Sequence, residues 1–205
     1  MPQPDARQRI LSAAFDAFVH HGFAGASTLE IARAAHVSKR ELYSLVGNKQ
    51  DILVACISAR ADRLHTPAAL PTPTTPSELE AALRIYAAHL LRELTDPTVI
   101  AMFRLAIAEA ERAPEVARTL DTVGRETTRA GLRSFLGEAA ARGLLSGQPA
   151  EMTQRFLDLL QGSLLPSLLL GTTPRPRPRQ LELRAASATA ALLRLYAPPP
   201  TPAPS

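Results

Sequence analysis

Two closely spaced helix-start signals constrain what this chain can fold into more than any other feature of its sequence. Ser27 is followed three residues later by Glu30. The same spacing recurs from Ser38 to Glu41. A serine with a glutamate three residues on predicts a capping box, in which each side chain binds a backbone N–H group at a helix N-terminus. Because the intervening residues 35–37 leave room only for a turn, the stretch predicts a helix-turn-helix, whose second helix enters a major groove.

The expected second helix carries polar side chains at positions that core packing does not need. Cationic side chains and hydroxyls contact DNA phosphates, and Arg or Lys can also donate to guanine O6 and N7. Lys49 lies at the expected start of the next helix, where backbone N–H groups and the helix dipole favour a phosphate. The candidate contacts on the second helix are Lys39, Arg40, Tyr43 and Ser44.

Length and composition are typical of a soluble globular protein. The chain has 205 residues, of which 46% are hydrophobic and 20% are charged, so it can bury a core. Because it has neither a long apolar stretch nor the apolar run of a secretory signal, we expect a cytoplasmic protein without a membrane span. The single cysteine, Cys56, rules out an internal disulfide and a cysteine-cluster metal site. A net charge of +4 is compatible with nucleic-acid binding but is spread too widely to locate it.

Apolar residues recur at three- and four-residue spacing along most of the chain, and no convincing strand pattern interrupts them. We therefore predict an all-α protein of about nine helices. Beyond the helix-turn-helix, the predicted helices span residues 6–20, 49–64, 78–94, a segment opening at Pro97, 115–142, 149–170 with a kink at Pro166, and 180–196. A Pro-rich loop at 66–76 ends before a start signal at Ser77 and Glu80, and the tail at 197–205 is expected to be disordered.

An ordered set of residues runs through the N-terminal part of the chain. They are Gly22 and Phe23, Ile31 and Ala32, Val37 and Ser38, Leu42 and Tyr43, and Lys49. In this order and spacing they resemble the TetR family of bacterial one-component transcription regulators, over about residues 6–60. The resemblance implies a helix-turn-helix DNA-binding domain at 1–48, a connecting helix at 49–65, and a ligand-binding and dimerisation domain at 77–196, after the loop at 66–76.

Carried over residue by residue, the resemblance implies DNA contacts from hydroxyl and cationic side chains. The implied contacts are Ser27, Thr28, Ser38, Lys39, Arg40, Tyr43, Ser44 and Lys49. Structural alternatives stay open, because Ser27 and Ser38 can be helix caps only and Tyr43 can pack against the first helix. The sequence also departs from the family pattern. His36 replaces a common Gly in the turn, and Glu41, the expected cap partner of Ser38, replaces a small or hydroxyl residue.

The C-terminal part resembles the AefR-like subset of this family in the stretch MFRLAIAEAERAPEVA and around Gly143, Phe156 and Gly162. The resemblance implies that the last two long helices form a four-helix homodimer interface. It also implies that helices five to eight enclose a mainly apolar pocket for a small-molecule effector. The candidate lining residues are Met102, Phe103, Ala106, Phe156, Leu160 and Ser163, with Arg104 or Glu109 as a polar anchor. Core packing is the alternative role of each apolar one.

Three functions are weighed against these features. The first is a repressor that binds a palindromic double-stranded DNA operator as a dimer, with two recognition helices one DNA turn apart, and that a small apolar ligand releases. The second is a DNA-binding regulator that needs no ligand. The third is a small α-helical enzyme, which is disfavoured because the histidines make no metal-ligand pair with a carboxylate and Glu109 and Glu111 face different ways on a helix. We expect no catalysis, no cofactor and no metal.

Overall fold

Eleven α-helices and no strands make up the described part of the chain, which confirms the predicted all-α fold. The computed structural model describes residues 5–65 and 72–199, and of 63–65 the backbone alone. Residues 66–71 of the loop predicted at 66–76, and residues 200–205 of the tail predicted at 197–205, lie outside the described residues. No described helix is long and apolar enough to cross a membrane. The helices are α1 (Ala6–Gly25), α2 (Thr28–Ala34), α3 (Lys39–Leu45), α4 (Lys49–His65), α5 (Pro76–Leu94), α6 (Pro97–Ala108), α7 (Pro114–Thr119), α8 (Glu126–Ala141), α9 (Pro149–Gln161), α10 (Leu164–Leu170) and α11 (Pro178–Leu195).

The helices divide between two compact units. The first unit comprises Met1–Arg63 and Pro97–Thr127, so that it contains α1–α4 together with α6 and α7. Its core is built from Ile10, Phe18, Ile31, Leu42, Ile52, Leu53, Ile57, Met102, Leu105, Val116 and Leu120. The sequence predicts that 97–127 belongs with the C-terminal domain, whereas the apolar side chains of this segment pack in the same core as those of α1 and α4.

Helix α1 is longer than predicted and contains a kink. Asp5 caps its N-terminus, since Asp5 Oδ1 accepts the N–H of Gln8 at 2.7 Å. Gly22, two residues beyond the predicted end of the helix at residue 20, lies inside it with a φ of 71°. The helix then continues to Gly25, and the N–H of Ala26 donates to the Gly22 carbonyl at 3.2 Å. Phe23, immediately after the kink, is buried in the core of the first unit.

The second unit comprises Leu64–Asp96 and Thr128–Ser205 and contains α5 and α8–α11. Its core includes Leu79, Leu83, Leu90, Leu136, Phe156, Leu160 and Leu192. Helix α5 starts earlier than predicted, because Thr75 and Glu78 form the capping box in place of Ser77 and Glu80. Pro76 then occupies the first helical position, where its missing N–H has no intrahelical acceptor to bind.

The helix predicted over 115–142 is interrupted by a π-helical turn, Leu120–Arg125. A π turn closes its backbone hydrogen bonds one residue further along than an α-helix does, so the side chains beyond it are rotated about the axis. Leu120 is buried in the core of the first unit. Leu132 and Leu136, after the turn, are buried in the core of the second.

The helix predicted over 149–170 is also divided, but at a different residue from the one expected. The break lies at Gly162, whose φ of 43° favours glycine. Pro166, the predicted kink, is instead the third residue of α10, in the first turn, where a missing N–H breaks no helical hydrogen bond. Arg184 of α11 stabilises the break by donating to the last two carbonyl groups of α9.

Candidate nucleic-acid interface

Serine caps begin both helices of the helix-turn-helix. The Ser38 hydroxyl accepts the N–H of Glu41 at 3.0 Å, which is one half of the predicted box. The Ser27 hydroxyl accepts the N–H of Leu29 at 3.3 Å, one residue before the predicted partner Glu30. Both serines are thus engaged at the N-termini of α2 and α3, as the capping alternative requires.

The turn between α2 and α3 is closed by an unusual backbone conformation. The N–H of Val37 donates to the carbonyl of Ala32 at 3.0 Å. Between them, His36 has a φ of 54° and is the non-glycine residue with a positive φ in the described part of the chain. The left-handed region costs an L-residue about 1–2 kcal/mol, which explains why glycine is favoured in such a turn. The departure at His36 therefore strains the turn without opening it.

Buried side chains hold the two helices on α1. Ile31 of α2 and Leu42 of α3 are fully buried in the core of the first unit. Arg9 of α1 donates from Nε to the Ala35 carbonyl at 3.0 Å, at the end of α2. Because Leu42 is the one buried residue of α3, the rest of that helix is free to meet a groove.

The free face of α3 carries the predicted DNA contacts. Lys39, Arg40, Tyr43 and Ser44 are all exposed. The Tyr43 hydroxyl lies 3.4 Å from the Thr28 hydroxyl, and Lys39 Nζ lies 5.8 Å from the centre of the Tyr43 ring. The structure thus brings Thr28, Lys39 and Tyr43 together on the surface. At 44% exposure, the Tyr43 side chain is partly open to solvent and is not among the buried core residues of the first unit.

A capping pair that the sequence argument missed begins α4. Asn48 Oδ1 accepts the N–H of Gln50 at 2.8 Å and of Asp51 at 3.1 Å. In return, Asp51 Oδ2 accepts the N–H of Asn48 at 2.8 Å. An asparagine three residues before an aspartate has the spacing of a capping box, so the signal was present in the sequence. These bonds occupy N–H groups that the sequence argument leaves free for a phosphate.

Lys49 is half-buried, and its ammonium is engaged inside the first unit. Its Nζ donates to the carbonyls of Ala24 and Ala26 at 3.1 and 3.2 Å. The same atom lies 4.9 Å from the centre of the Phe23 ring. Two of the three N–H donors of an ammonium are therefore bound to the end of α1.

The residues predicted to line a ligand pocket are divided between the two units. Those of the first unit are Met102, Phe103, Ala106 and Glu109, and those of the second are Phe156, Leu160 and Ser163. Four of these residues are buried in the cores of the two units, namely Met102, Ala106, Phe156 and Leu160. Their burial fits core packing, the alternative to a role in lining a pocket. Ser163 is exposed. Glu109 is 8% exposed, and its Oε1 accepts the N–H of Phe23 at 3.0 Å.

An open groove of about 610 Å³ lies on the first unit and is lined by residues of α1, α4 and α6. Its apolar lining includes Leu11, Phe15, Cys56 and Met102, and its polar lining includes Gln8, Ser12, Asp16, Arg60 and Thr98. This volume lies within the range of small-molecule sites. Met102 is the residue that the groove shares with the predicted lining.

The groups considered for catalysis do not form a reactive site. Burial raises the pKa of the Cys56 thiol from its ordinary value of 9.0 to about 12, so the thiol keeps its proton and is a poor nucleophile. Glu109 is buried and Glu111 is exposed, so the two carboxylates do not face one another. Within residues 5–62 and 72–199, no group of three or more His, Cys, Asp or Glu side chains is placed to hold a metal ion.

Two models of known protein families match this chain. The one described as bacterial regulatory proteins of the tetR family matches residues 10–56, which contain α2 and α3. The one described as the C-terminal domain of AefR-like transcriptional repressors matches residues 81–198, more than half of the chain. No curated protein matches the chain significantly.

Several solved structures share the fold over nearly their whole length. A TetR-family transcriptional regulator from Mesorhizobium loti is 25% identical, with a TM-score of 0.77, and the match covers 93% of this chain and 96% of that one. A TetR transcriptional regulator from Agrobacterium tumefaciens is 27% identical, with a TM-score of 0.76 and coverages of 94% and 95%. The flavonoid-responsive regulator FrrA is 29% identical, with a TM-score of 0.77 and coverages of 96% and 98%.

Proposed function

Because the chain belongs to the TetR family of bacterial transcription regulators, we propose that it is a cytoplasmic repressor that binds a palindromic operator as a homodimer. A small apolar effector releases it from the operator. The family and the fold are those of DNA-binding regulators and not of enzymes. The observation that carries the proposal is the group of hydroxyl and cationic side chains at the surface of α2 and α3, two helices held by serine caps and a buried Leu42.

These surface side chains have two roles, because most of them position the protein on the DNA and one reads the base sequence. Thr28, Lys39 and Tyr43 lie together and contact neighbouring phosphate oxygens, as hydroxyls and ammonium groups do in protein–DNA complexes. Arg40 projects from the first turn of α3, the part of a recognition helix that faces base edges, and donates to guanine O6 and N7. Ser44 lies one turn further along α3 and contacts the phosphate backbone of the DNA.

The remaining three predicted contacts act at helix ends. A serine hydroxyl that accepts a capping bond still has its own O–H to donate, so Ser27 and Ser38 can each bind a phosphate while capping. Lys49 contributes to the interface mainly by holding the end of α1, because two of its N–H donors bind the backbone carbonyls of Ala24 and Ala26. Its third N–H is available to a phosphate.

The homodimer sets the spacing of the two recognition helices. A two-fold pair of helix-turn-helix units reads half-sites about 34 Å apart, which is one turn of DNA. The second unit exposes large apolar side chains on its last two helices, with Leu170 77%, Leu183 64% and Leu195 60% exposed. Exposed apolar surface of this kind supports an interface with a second copy. Light scattering coupled to size exclusion should give the mass of a dimer.

Effector release is supported by the similarity to FrrA, which is described as flavonoid-responsive. Flavonoids are therefore the first compounds to screen, by the rise in melting temperature that binding produces. The burial of Phe156 and Leu160 at 0% exposure favours the second candidate function, a regulator that needs no ligand. If no small apolar compound raises the melting temperature or lowers DNA affinity, this second function holds.

Fluorescence anisotropy with inverted-repeat DNA from the protein's own upstream region tests the proposal. We expect tight binding to one palindrome and weak binding to a scrambled duplex of the same composition. The affinity for both should fall as salt rises, because binding at phosphates releases counterions. A protein that binds no palindromic site even at low salt is not a repressor of this type.

A further inference from the structure

We propose that Glu109 is a positioning residue for DNA binding, whose carboxylate holds the junction between α1 and α2 in the conformation that the operator requires. The junction is defined as residues 22–26. This inference rests on the proposed DNA-binding function and adds to it a residue that lies outside the helix-turn-helix in sequence. Glu109 directly follows α6, more than eighty residues along the chain from the junction.

The Glu109 carboxylate is withdrawn from water and bound to the junction by one oxygen. The residue is 8% exposed, and its Oε1 accepts the N–H of Phe23 at 3.0 Å. Its Oε2 is buried and has no hydrogen-bond partner. A carboxylate is rarely buried with an unsatisfied oxygen, because water would solvate it better. Core packing alone does not explain why an acid is present here, whereas its bond to Phe23 does.

The kink at Gly22 is what lets the carboxylate approach. A Cβ on Gly22 would lie 2.3 Å from Glu109 Oε1, closer than real Cβ contacts come. The φ of 71° at Gly22 turns the next N–H, that of Phe23, toward the acid. Two features of the sequence, the glycine and the acid, are therefore needed for one contact.

The same junction is held from the start of α4 by a cation. Lys49 Nζ donates to the carbonyls of Ala24 and Ala26, and it also lies over the ring of Phe23. Glu109 accepts the N–H of Phe23. The carboxylate therefore holds a backbone N–H group of the junction, and the Lys49 ammonium holds two of its backbone carbonyls. A separate bond links the start of α4 to the end of α7, since Gln50 Nε2 donates to Thr119 Oγ1 at 3.2 Å.

A shift of the junction is passed directly to the DNA contacts. Ser27, the cap of α2, follows the junction in the chain, and Thr28 follows Ser27. Thr28 is the α2 partner of Tyr43 on the free face of α3. Loss of the bond to Glu109 therefore frees the start of α2 and misplaces the hydroxyl that Thr28 presents.

The test compares four proteins, wild type, Glu109→Ala, Glu109→Gln and Glu111→Ala, by operator affinity at a temperature far below unfolding. Glu109→Ala removes the acceptor and should weaken operator binding about tenfold, the effect of misplacing a contact group. Glu109→Gln keeps an acceptor for the Phe23 N–H and should stay within about threefold of wild type. Glu111→Ala makes the same change of charge at an exposed residue and should leave the affinity unchanged or slightly raised.

Hydrogen exchange at the Phe23 amide separates positioning from stability. We expect this amide to lose protection in Glu109→Ala and to keep it in Glu109→Gln. Wild-type operator affinity in a Glu109→Ala protein whose Phe23 amide exchanges freely overturns the inference. If Glu109→Ala does not fold, Glu109→Asp, which draws the carboxylate back from Phe23, takes its place, and unchanged affinity there overturns the inference equally. If the wild type itself binds no palindromic DNA, the proposed function fails, and the inference fails with it.

Discussion

Lys49→Ala should separate the two roles that a cation at this position can have. The Lys49 ammonium donates to two carbonyls at 3.1 and 3.2 Å and lies 4.9 Å from the centre of the Phe23 ring. A hydrogen bond from a charged donor contributes about 1.5–3 kcal/mol when buried, and a partly exposed cation–π contact about 0.5–1 kcal/mol. Because Lys49 is only half-buried, competition from water reduces the contribution of both the hydrogen bonds and the cation–π contact. We therefore expect the variant to lose about 2 kcal/mol of unfolding free energy.

Urea titration measures this loss, and thermal unfolding offers a second reading. For a chain of this size, about 2 kcal/mol corresponds to a fall in Tm of about 4–8 °C. Lys39→Ala is the matched control, because Lys39 is exposed and its ammonium lies 5.8 Å from an exposed ring. We expect this control to change the unfolding free energy by less than about 0.5 kcal/mol.

The salt dependence of operator binding should change more in Lys39→Ala than in Lys49→Ala, which is the reverse of the order expected for the loss of unfolding free energy. Each lost phosphate contact lowers the slope of log affinity against log salt by about 0.9. Lys39→Ala should show about this decrease per subunit. Lys49→Ala should weaken binding while leaving the slope nearly unchanged, since it disturbs the junction more than it removes a phosphate contact. A Lys49→Ala protein with wild-type stability and a flattened slope would show that Lys49 binds a phosphate and does not hold the junction.

Three further substitutions or conditions test other parts of the molecule. Arg40→Ala should narrow the difference in binding free energy between operator and random DNA by about 1–3 kcal/mol, and equal losses on both would show that Arg40 reaches only phosphates. Thr189→Val should raise the unfolding free energy in urea by about 1 kcal/mol, because the Thr189 hydroxyl is buried without a hydrogen-bond partner. Thr153→Val should not raise the unfolding free energy, because the Thr153 hydroxyl donates to the Pro149 carbonyl at 2.7 Å. A more stable Thr153→Val protein and a less stable Thr189→Val protein would contradict this expectation. Burial raises the pKa of Cys56 from 9.0 to about 12. The unfolded chain therefore ionises this thiol first, and the unfolding free energy should decrease from pH 9 toward pH 12. Fast labelling of the native thiol at pH 8 would contradict that burial.

The sequence predicted the helix-turn-helix well where short-range chemistry decides the structure. Ser38 caps α3 because a hydroxyl is the nearest acceptor for the free N–H groups of the first turn. Leu42 is buried and Tyr43 is exposed because the helical period places neighbouring residues on different faces. The Asn48 cap uses the same chemistry and could have been found by the same rule.

Contacts between distant residues were the part that local patterns could not supply. The 3.6-residue period shows that residues of α6 are buried, but not which core they enter. That information depends on pairs such as Phe23 and Glu109, 86 residues apart. For the same reason, the sequence gives no sign that the apolar side chains of 97–127 pack with those of α1 and α4, or that Glu109 binds the N–H of Phe23. The break at Gly162 was missed because its stabiliser, Arg184, lies more than twenty residues away.

The close approach of Glu109 to Gly22 has a consequence for how related sequences can diverge. A side chain cannot be added at position 22 while the carboxylate stays where it is, so substitution of the glycine requires that the acid be displaced or replaced. Loss of the acid alone would still leave glycine favoured at position 22, because a φ of 71° with a ψ of 167° is a conformation that essentially only glycine adopts. Among natural relatives, we therefore expect the acid to occur only together with the glycine.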